Sequence, residues 1–331
     1  MHKRTLYNWA SSLPWPPVAP LMGYPGIQIN RTTVKQNLFN WGIQFWTLYE
    51  LAEKLQPDMS FVLMDLSVEA SALGAAVRYP LHEIPTVEEP LVRHPEDLLQ
   101  FQALDILKDG RVHVFLETIR LLKRSVDIPV CGYVIGPFSL TGLLMGATEA
   151  AMATLTEPDF LKDVLTFSTR TIQHYAKAQV EAGADVIAVL EPTAALLSPA
   201  AFDTFSAPYV TEIVTGVDVP CILHICGDAS RLVPAMARTG AQGLSLDYQV
   251  DLLAAAEQVP EDVVLIGNLD PAGVVSRGSQ DEVAAATEEL IRRMAGRQNF
   301  VLSSGCDLPP ETPLENIRAM VEVARTFQNR G

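Results

Sequence analysis

Three side chains with metal-binding chemistry stand far apart in the chain. His224 and Cys226 lie in Pro220-Cys-Ile-Leu-His-Ile-Cys-Gly-Asp228, and Cys306 lies in Leu302-Ser-Ser-Gly-Cys-Asp-Leu-Pro-Pro310. The apolar run from Cys221 to Ile225, opened by a proline and stopped by Gly227, predicts a buried parallel strand. Side chains alternate faces along a strand, so His224 and Cys226 point the same way, one step apart. An imidazole nitrogen with two soft sulfurs is a donor set for zinc. Three protein ligands leave one tetrahedral position free, as catalytic zinc requires and a structural site closed by four cysteines does not. Taken singly, each of these residues also fits an ordinary core position. Their shared placement at strand ends favours the metal, whereas Cys131 and Cys221 fall inside strands and are expected in the core.

Five polar residues accompany them: Asp65, Glu191, Asp247, Asn268 and Asp270. Asp247 suits a fourth ligand or a hydrogen-bond partner of His224, and equally a helix cap. Glu191 reads as an open-site ligand or an acid turned toward substrate, or as the end of its strand. Asp65 reads as an acceptor for a bulky substrate or, again, as a strand end. Asn268 and Asp270 shape a pocket floor, although Asn-Leu-Asp-Pro is also ordinary turn chemistry.

The elements that must position these residues alternate. Strands are expected at 18–22, 61–65, 129–135, 185–191, 221–226, 243–247, 263–267 and 300–304. Helical periodicity fills 34–54, 96–125, 141–154, 158–182, 199–216, 229–239, 252–259, 280–295 and 313–329. Eight strands separated by helices predict a parallel (β/α)8 TIM barrel in the α/β class. Residues 1–17 form an N-terminal extension in which Pro14, Pro16 and Pro17 discourage helix, and 79–95 a Pro-rich excursion. A doubly wound sheet is the alternative, but no glycine fingerprint follows an early strand. The whole of 1–331 reads as a single domain. All the polar residues above then fall at or just past the C-terminal ends of strands, the face on which such barrels carry their sites.

Composition narrows the function. With 48% hydrophobic and 19% charged residues in 331, the chain is long enough to bury a sizeable core. A formal net charge of −15 argues against nucleic-acid binding and against docking on anionic lipid. A highly anionic substrate would need a local arginine cluster, and none is evident; Lys162, Arg170 and Lys177 are expected on a helix surface. No apolar stretch follows the basic start, so neither a signal peptide nor a membrane span is expected. Four cysteines make no disulfide framework, and a reducing cytoplasm is the expected compartment.

Asp65-Leu-Ser-Val-Glu-Ala-Ser-Ala-Leu-Gly74, Gly136-Pro-Phe-Ser-Leu140, Leu197-Ser-Pro-Ala-Ala-Phe202, His224-Ile-Cys-Gly227, Asp247-Tyr248 and Gly267-Asn-Leu-Asp-Pro271 together resemble the uroporphyrinogen decarboxylase superfamily. The resemblance implies a distorted (β/α)8 barrel. His224-x-Cys226 with Gly305-Cys306 and the later Pro-Pro-x-Thr-Pro is similar to the methylcobamide:coenzyme M methyltransferase branch. That likeness implies a zinc-bound thiolate, taking a methyl group from a corrinoid protein to a small thiol such as coenzyme M. Glu191, Asp65 and Asp247 are then the candidate catalytic residues, Asn268 and Asp270 the candidates for the cofactor, and His224, Cys226 and Cys306 the zinc ligands. The decarboxylase branch carries an arginine-rich stretch after its first strand, where this chain reads Met22-Gly-Tyr-Pro-Gly-Ile-Gln28 and has no arginine until Arg31. Uroporphyrinogen decarboxylation without metal, with Asp65 facing the pyrrole nitrogens, is the second reading. A non-catalytic corrinoid-protein binding module with structural zinc is the third. The acceptor, coenzyme M or another thiol or a folate, is not identified by these motifs.

Overall fold

A computed structural model describes residues 5–14, 16–101 and 103–327. The start and end of the chain, and Trp15 within the N-terminal extension, lie outside the described residues. Among the described residues there are nine strands: β1 (Ser60–Phe61), β2 (Val77–Arg78), β3 (Thr86–Val87), β4 (Val130–Ile135), β5 (Val186–Leu190), β6 (Cys221–Ile225), β7 (Gly243–Leu246), β8 (Val264–Leu269) and β9 (Phe300–Ser304). Seven of them form one curled parallel sheet in the order β1-β4-β5-β6-β7-β8-β9. Their sequences are nearly continuous apolar runs, as strands covered on both faces must be.

The eighth expected strand, 18–22, is reduced to a single parallel bridge between Val18 and Leu302. It still occupies the gap between the two sheet edges. Ala19 N–H donates to Leu302 O at 2.9 Å on the β9 side, and Asp58 N–H donates to Val18 O at 2.8 Å beside β1. The molecule is thus a distorted TIM-type barrel, with a buried core running continuously between sheet and helices. The long helices Gly110–Ser125, Pro158–Ala182, Gln280–Arg293 and Leu314–Thr326 each bury one stripe and expose the other. Among the described residues no single helix is long and apolar enough to cross a membrane.

Several expectations need correction; the helix expected over 96–125 begins only at Gly110 after two short 3-10 turns, and that over 141–154 divides at Gly146. The N-terminal extension is helical over Thr5–Ser12, because its prolines begin only at Pro14. The helix expected over 34–54 divides at Asn40, whose extended backbone lets its side chain accept from Ile43 N–H and start a new helix, Trp41–Leu55. The helix expected over 199–216 divides at Ser206, whose hydroxyl is drawn to a buried carboxylate described below. The Pro-rich excursion contains the small antiparallel pair β2–β3.

Candidate metal centre

His224 is the fourth residue of β6, Cys226 follows its last residue, and Cys306 lies two residues past β9. Register makes them meet: His224 pairs with Leu190 on one side and Ser245 on the other, and all three side chains face the barrel interior. His224 Nε2 lies 3.0 Å from Cys226 Sγ and 3.8 Å from Cys306 Sγ, and the two sulfurs are 3.3 Å apart. All three donor atoms fall within 4.8 Å of one another, close enough to share one ion. Two glycines shape the loops. Gly227 takes a left-handed φ of 79° that turns the chain directly after Cys226. At Gly305 a Cβ would meet Tyr248 N at 2.4 Å, so only glycine lets the loop after β7 lie against Cys306.

The electrostatics suit a cation. Hydrogen bonding from Cys226 and from His224 holds the Cys306 thiol below the usual thiol range, whereas giving that bond, together with burial, pushes Cys226 well above it. Two sulfurs in contact cannot both ionise unless positive charge lies between them. Zinc satisfies that condition, and the set of two sulfurs and one imidazole suits its preferences. The other imidazole nitrogen, Nδ1, lies 2.9 Å from Ser245 Oγ. Such a contact fixes ring orientation and leaves Nε2 as the atom that could face a metal. Beneath the centre the barrel is filled: Leu21, Phe61, Tyr133, Ala188, Leu190, Ile222 and Ile266 leave a void of about 10 Å³.

The remaining candidates lie elsewhere or are already engaged. Asp247 is not the partner of His224; Ser245 takes that place, because a residue within β7 reaches the ring and one past its end does not. Asp247 accepts from Gln249 N–H at 3.0 Å and is otherwise in the wall of the barrel mouth, its charge acting on Cys226. Glu191 stands on the opposite side of β5 from Leu190, outside the barrel. Fully buried, it accepts from Phe138 N–H at 2.9 Å, Ser139 N–H at 2.8 Å and the Ser206 hydroxyl at 2.9 Å. These three donors hold it away from His224, Cys226 and Cys306, and it anchors the start of helix Pro137–Met145. Asp65 has both oxygens engaged, one by Ser67 N–H and Oγ and the other by Arg111 in a buried ion pair. Asn268 donates to Asp247 O and Val250 O, and Asp270 caps the turn at Pro271 by accepting from Ala272 and Gly273 N–H. Both line a recess of about 430 Å³ with Tyr248, Asp251 and Arg293, outside the barrel and apart from the three ligands.

Four residues escape the sequence reading. Ser245 could have been found from strand alternation, since it shares a rung with His224. Arg111 clamps Asp65, donates to the Tyr79 hydroxyl oxygen at 2.7 Å and lies over the Phe39 and Tyr79 rings; its partners are too distant in sequence to be paired by inspection. Glu69, beside them, is buried and pushed up to about 8 by desolvation. Asp307, next to Cys306, is half-buried, and its Oδ2 is shut from water without a hydrogen-bond partner.

Comparison with known proteins agrees with this architecture. The family model for uroporphyrinogen decarboxylase (URO-D) matches residues 47–327. A methylcobamide:CoM methyltransferase, MtbA, of Methanosarcina acetivorans is 34% identical over 276 residues, 81% of this chain and 79% of the relative. A uroporphyrinogen decarboxylase of Synechococcus is 30% identical over 293 residues, covering 84% of this chain and 81% of that protein. A solved structure described as a methyltransferase from Methanosarcina mazei superposes with a TM-score of 0.89 at 24% identity, over 98% of each chain, which establishes the barrel fold. From the motif, the family match and the relatives together, this chain belongs to the uroporphyrinogen decarboxylase (URO-D) family.

Proposed function

We propose that this protein is a methyltransferase that moves a methyl group from a methylated corrinoid, carried by a partner protein, to a small thiol. The observation that carries this reading is the gathering of His224, Cys226 and Cys306 within 4.8 Å at the mouth of the barrel. The relatives support it, since methylcobamide:CoM methyltransferases are among them. Those three residues would hold zinc, and Ser245 would keep the imidazole presented through Nε2. Zinc, when bound, supplies the positive charge that keeps an acceptor sulfur ionised at neutral pH, against a free thiol pKa of ~8.5. The packed barrel below excludes water and closes that direction of approach, so both reactants come from the mouth. The acceptor sulfur attacks the methyl carbon, a C–S bond forms as the Co–C bond breaks, and the electron pair stays on cobalt, taking Co(III) to Co(I). The thiol proton leaves to solvent. Thiolate ligands call for a reducing compartment, and the cytoplasm is the one this reading requires.

His224→Ala, Cys226→Ala and Cys306→Ala are each expected to lose zinc and methyl transfer from methylcobalamin together, measured on the same preparations. Transfer that survives in a metal-free variant overturns the reading. Decarboxylation of a porphyrinogen has relatives in its favour but not the site: Asp65, which that chemistry needs free, is spoken for by Arg111 and Ser67.

A further inference from the structure

The four cysteines fall into two settings. Cys131 and Cys221 are fully buried inside β4 and β6, closed to any reagent in solution. Cys226 and Cys306 are half-buried at the mouth, with their sulfurs 3.3 Å apart. A disulfide bond is ~2.05 Å long, so a shift of about 1 Å joins them. The loops differ in their freedom to make that shift. Gly227, directly after Cys226, has no atom within 4 Å of where a Cβ would stand. Gly305, directly before Cys306, lies against the Tyr248 backbone and has no such room. Cys226 is the sulfur that travels, and Cys306 the one that stays. In the sheet β7 and β8 stand between β6 and β9, so the bond would cross the mouth and tie residues 80 apart in the chain. It would also consume both soft donors, leaving His224 alone to hold a metal.

We propose that Cys226 and Cys306 close into a reversible disulfide when met by a peroxide, and that this bond releases the zinc and halts the proposed methyl transfer, the reading on which the switch rests. One sulfur attacks the peroxide, its O–O bond breaks and the first water leaves, giving a sulfenic acid. The other sulfur attacks that sulfenic acid, the S–S bond forms and the second water leaves. The sulfur pair loses two electrons and the peroxide gains them. Two protons complete the waters, from the thiols themselves or, where zinc held the sulfurs, from solvent. Because the second sulfur already lies in contact, closure of the bond outruns further oxidation of the first to sulfinic acid. A dithiol reverses the change by exchange through a mixed disulfide, after which the three ligands take zinc again.

The test treats the zinc-loaded full chain with a small excess of hydrogen peroxide. Zinc release is followed with a chromogenic chelator, the cysteines by non-reducing peptide mass mapping, and activity by methyl transfer from methylcobalamin to a thiol after the peroxide is removed. Stoichiometric zinc release is expected, with one linked peptide pair, lighter by two hydrogens, that joins Cys226 to Cys306. Cys131 and Cys221 should be recovered as free thiols after denaturation. Activity should fall in step with zinc release and return with dithiothreitol and added zinc. The oxidised protein should melt several degrees above the reduced, metal-free protein, because the link restricts the unfolded chain. Cys226→Ser should form no internal link under the same treatment, and if that variant fails to fold the wild-type mapping still decides. Sulfinic acids in place of the link, zinc retained through the treatment, or oxidation of Cys131 or Cys221 first overturns the switch, while transfer by the untreated enzyme leaves the methyl-transfer reading standing. An untreated protein with neither zinc nor transfer overturns that reading itself, and the switch with it, whatever the two sulfurs do.

Discussion

The two sides of the barrel mouth treat their polar groups in opposite ways. On the β1–β4 side, Asp65, Arg111, Tyr79 and Ser67 close on one another, and Glu191, behind the end of β5, takes three donors of its own. On the β6–β9 side, three donor atoms crowd together and an Asp307 oxygen stands enclosed without a donor. The first arrangement is complete within the protein; the second is complete only when something else is added. A polar group with every partner supplied by its own chain holds structure, whereas convergent donors left over point to a ligand. Asp65 and Glu191 sit where a barrel places its site residues and yet belong to the first kind.

The comparison can be broken at its strongest point. Arg111→Met leaves the buried Asp65 without its counter-charge and is expected to cost about 3–5 kcal/mol in denaturant unfolding, with zinc content unchanged. Adding Asp65→Leu to that variant should recover most of the loss. A loss below about 1 kcal/mol, or zinc lost along with stability, would show that the two sides are not separate.

Glu69 sharpens the same side through pH. Burial raises its carboxyl from 4.5 to about 8, so the folded protein keeps a proton there that the unfolded chain releases. This group's share of stability is therefore whole below about pH 4.5 and declines as pH rises toward about 8. Glu69→Gln is expected to flatten that part of the stability–pH curve, read from denaturation midpoints between the two limits. An unchanged slope counts against a neutral Glu69.

The smallest effect belongs to the other side. Ser245→Ala removes the partner of His224 Nδ1 and should weaken zinc affinity about 10–100-fold, measured by competition with a chelator, while folding stays intact. Equal affinity would mean that the ring is held by packing alone.

The sequence makes the meeting of His224, Cys226 and Cys306 readable and the ionic side opaque for one physical reason. Strand alternation and the C-terminal ends of β6 and β9 suffice to bring His224, Cys226 and Cys306 together, and β9 spans the same residues in the sequence reading and in the structure. The same alternation sets Glu191 behind Leu190, a signal present in the sequence but overridden by its place at a strand end. Arg111 pairs with Asp65 across 46 residues, and nothing local to either announces it. The divisions at Asn40 and Ser206 depend on side chains competing with the helix backbone, which hydrophobic periodicity does not register.

The plug of side chains under the ligands, with room for little more than 10 Å³, makes the site a cul-de-sac. Under the proposed methyl transfer, traffic in such a site would have an order: the small reactant would be seated before the bulky carrier covered the mouth, and the methylated thioether would depart after the carrier withdrew. Turnover would then be paced by the coming and going of a protein rather than by chemistry at sulfur.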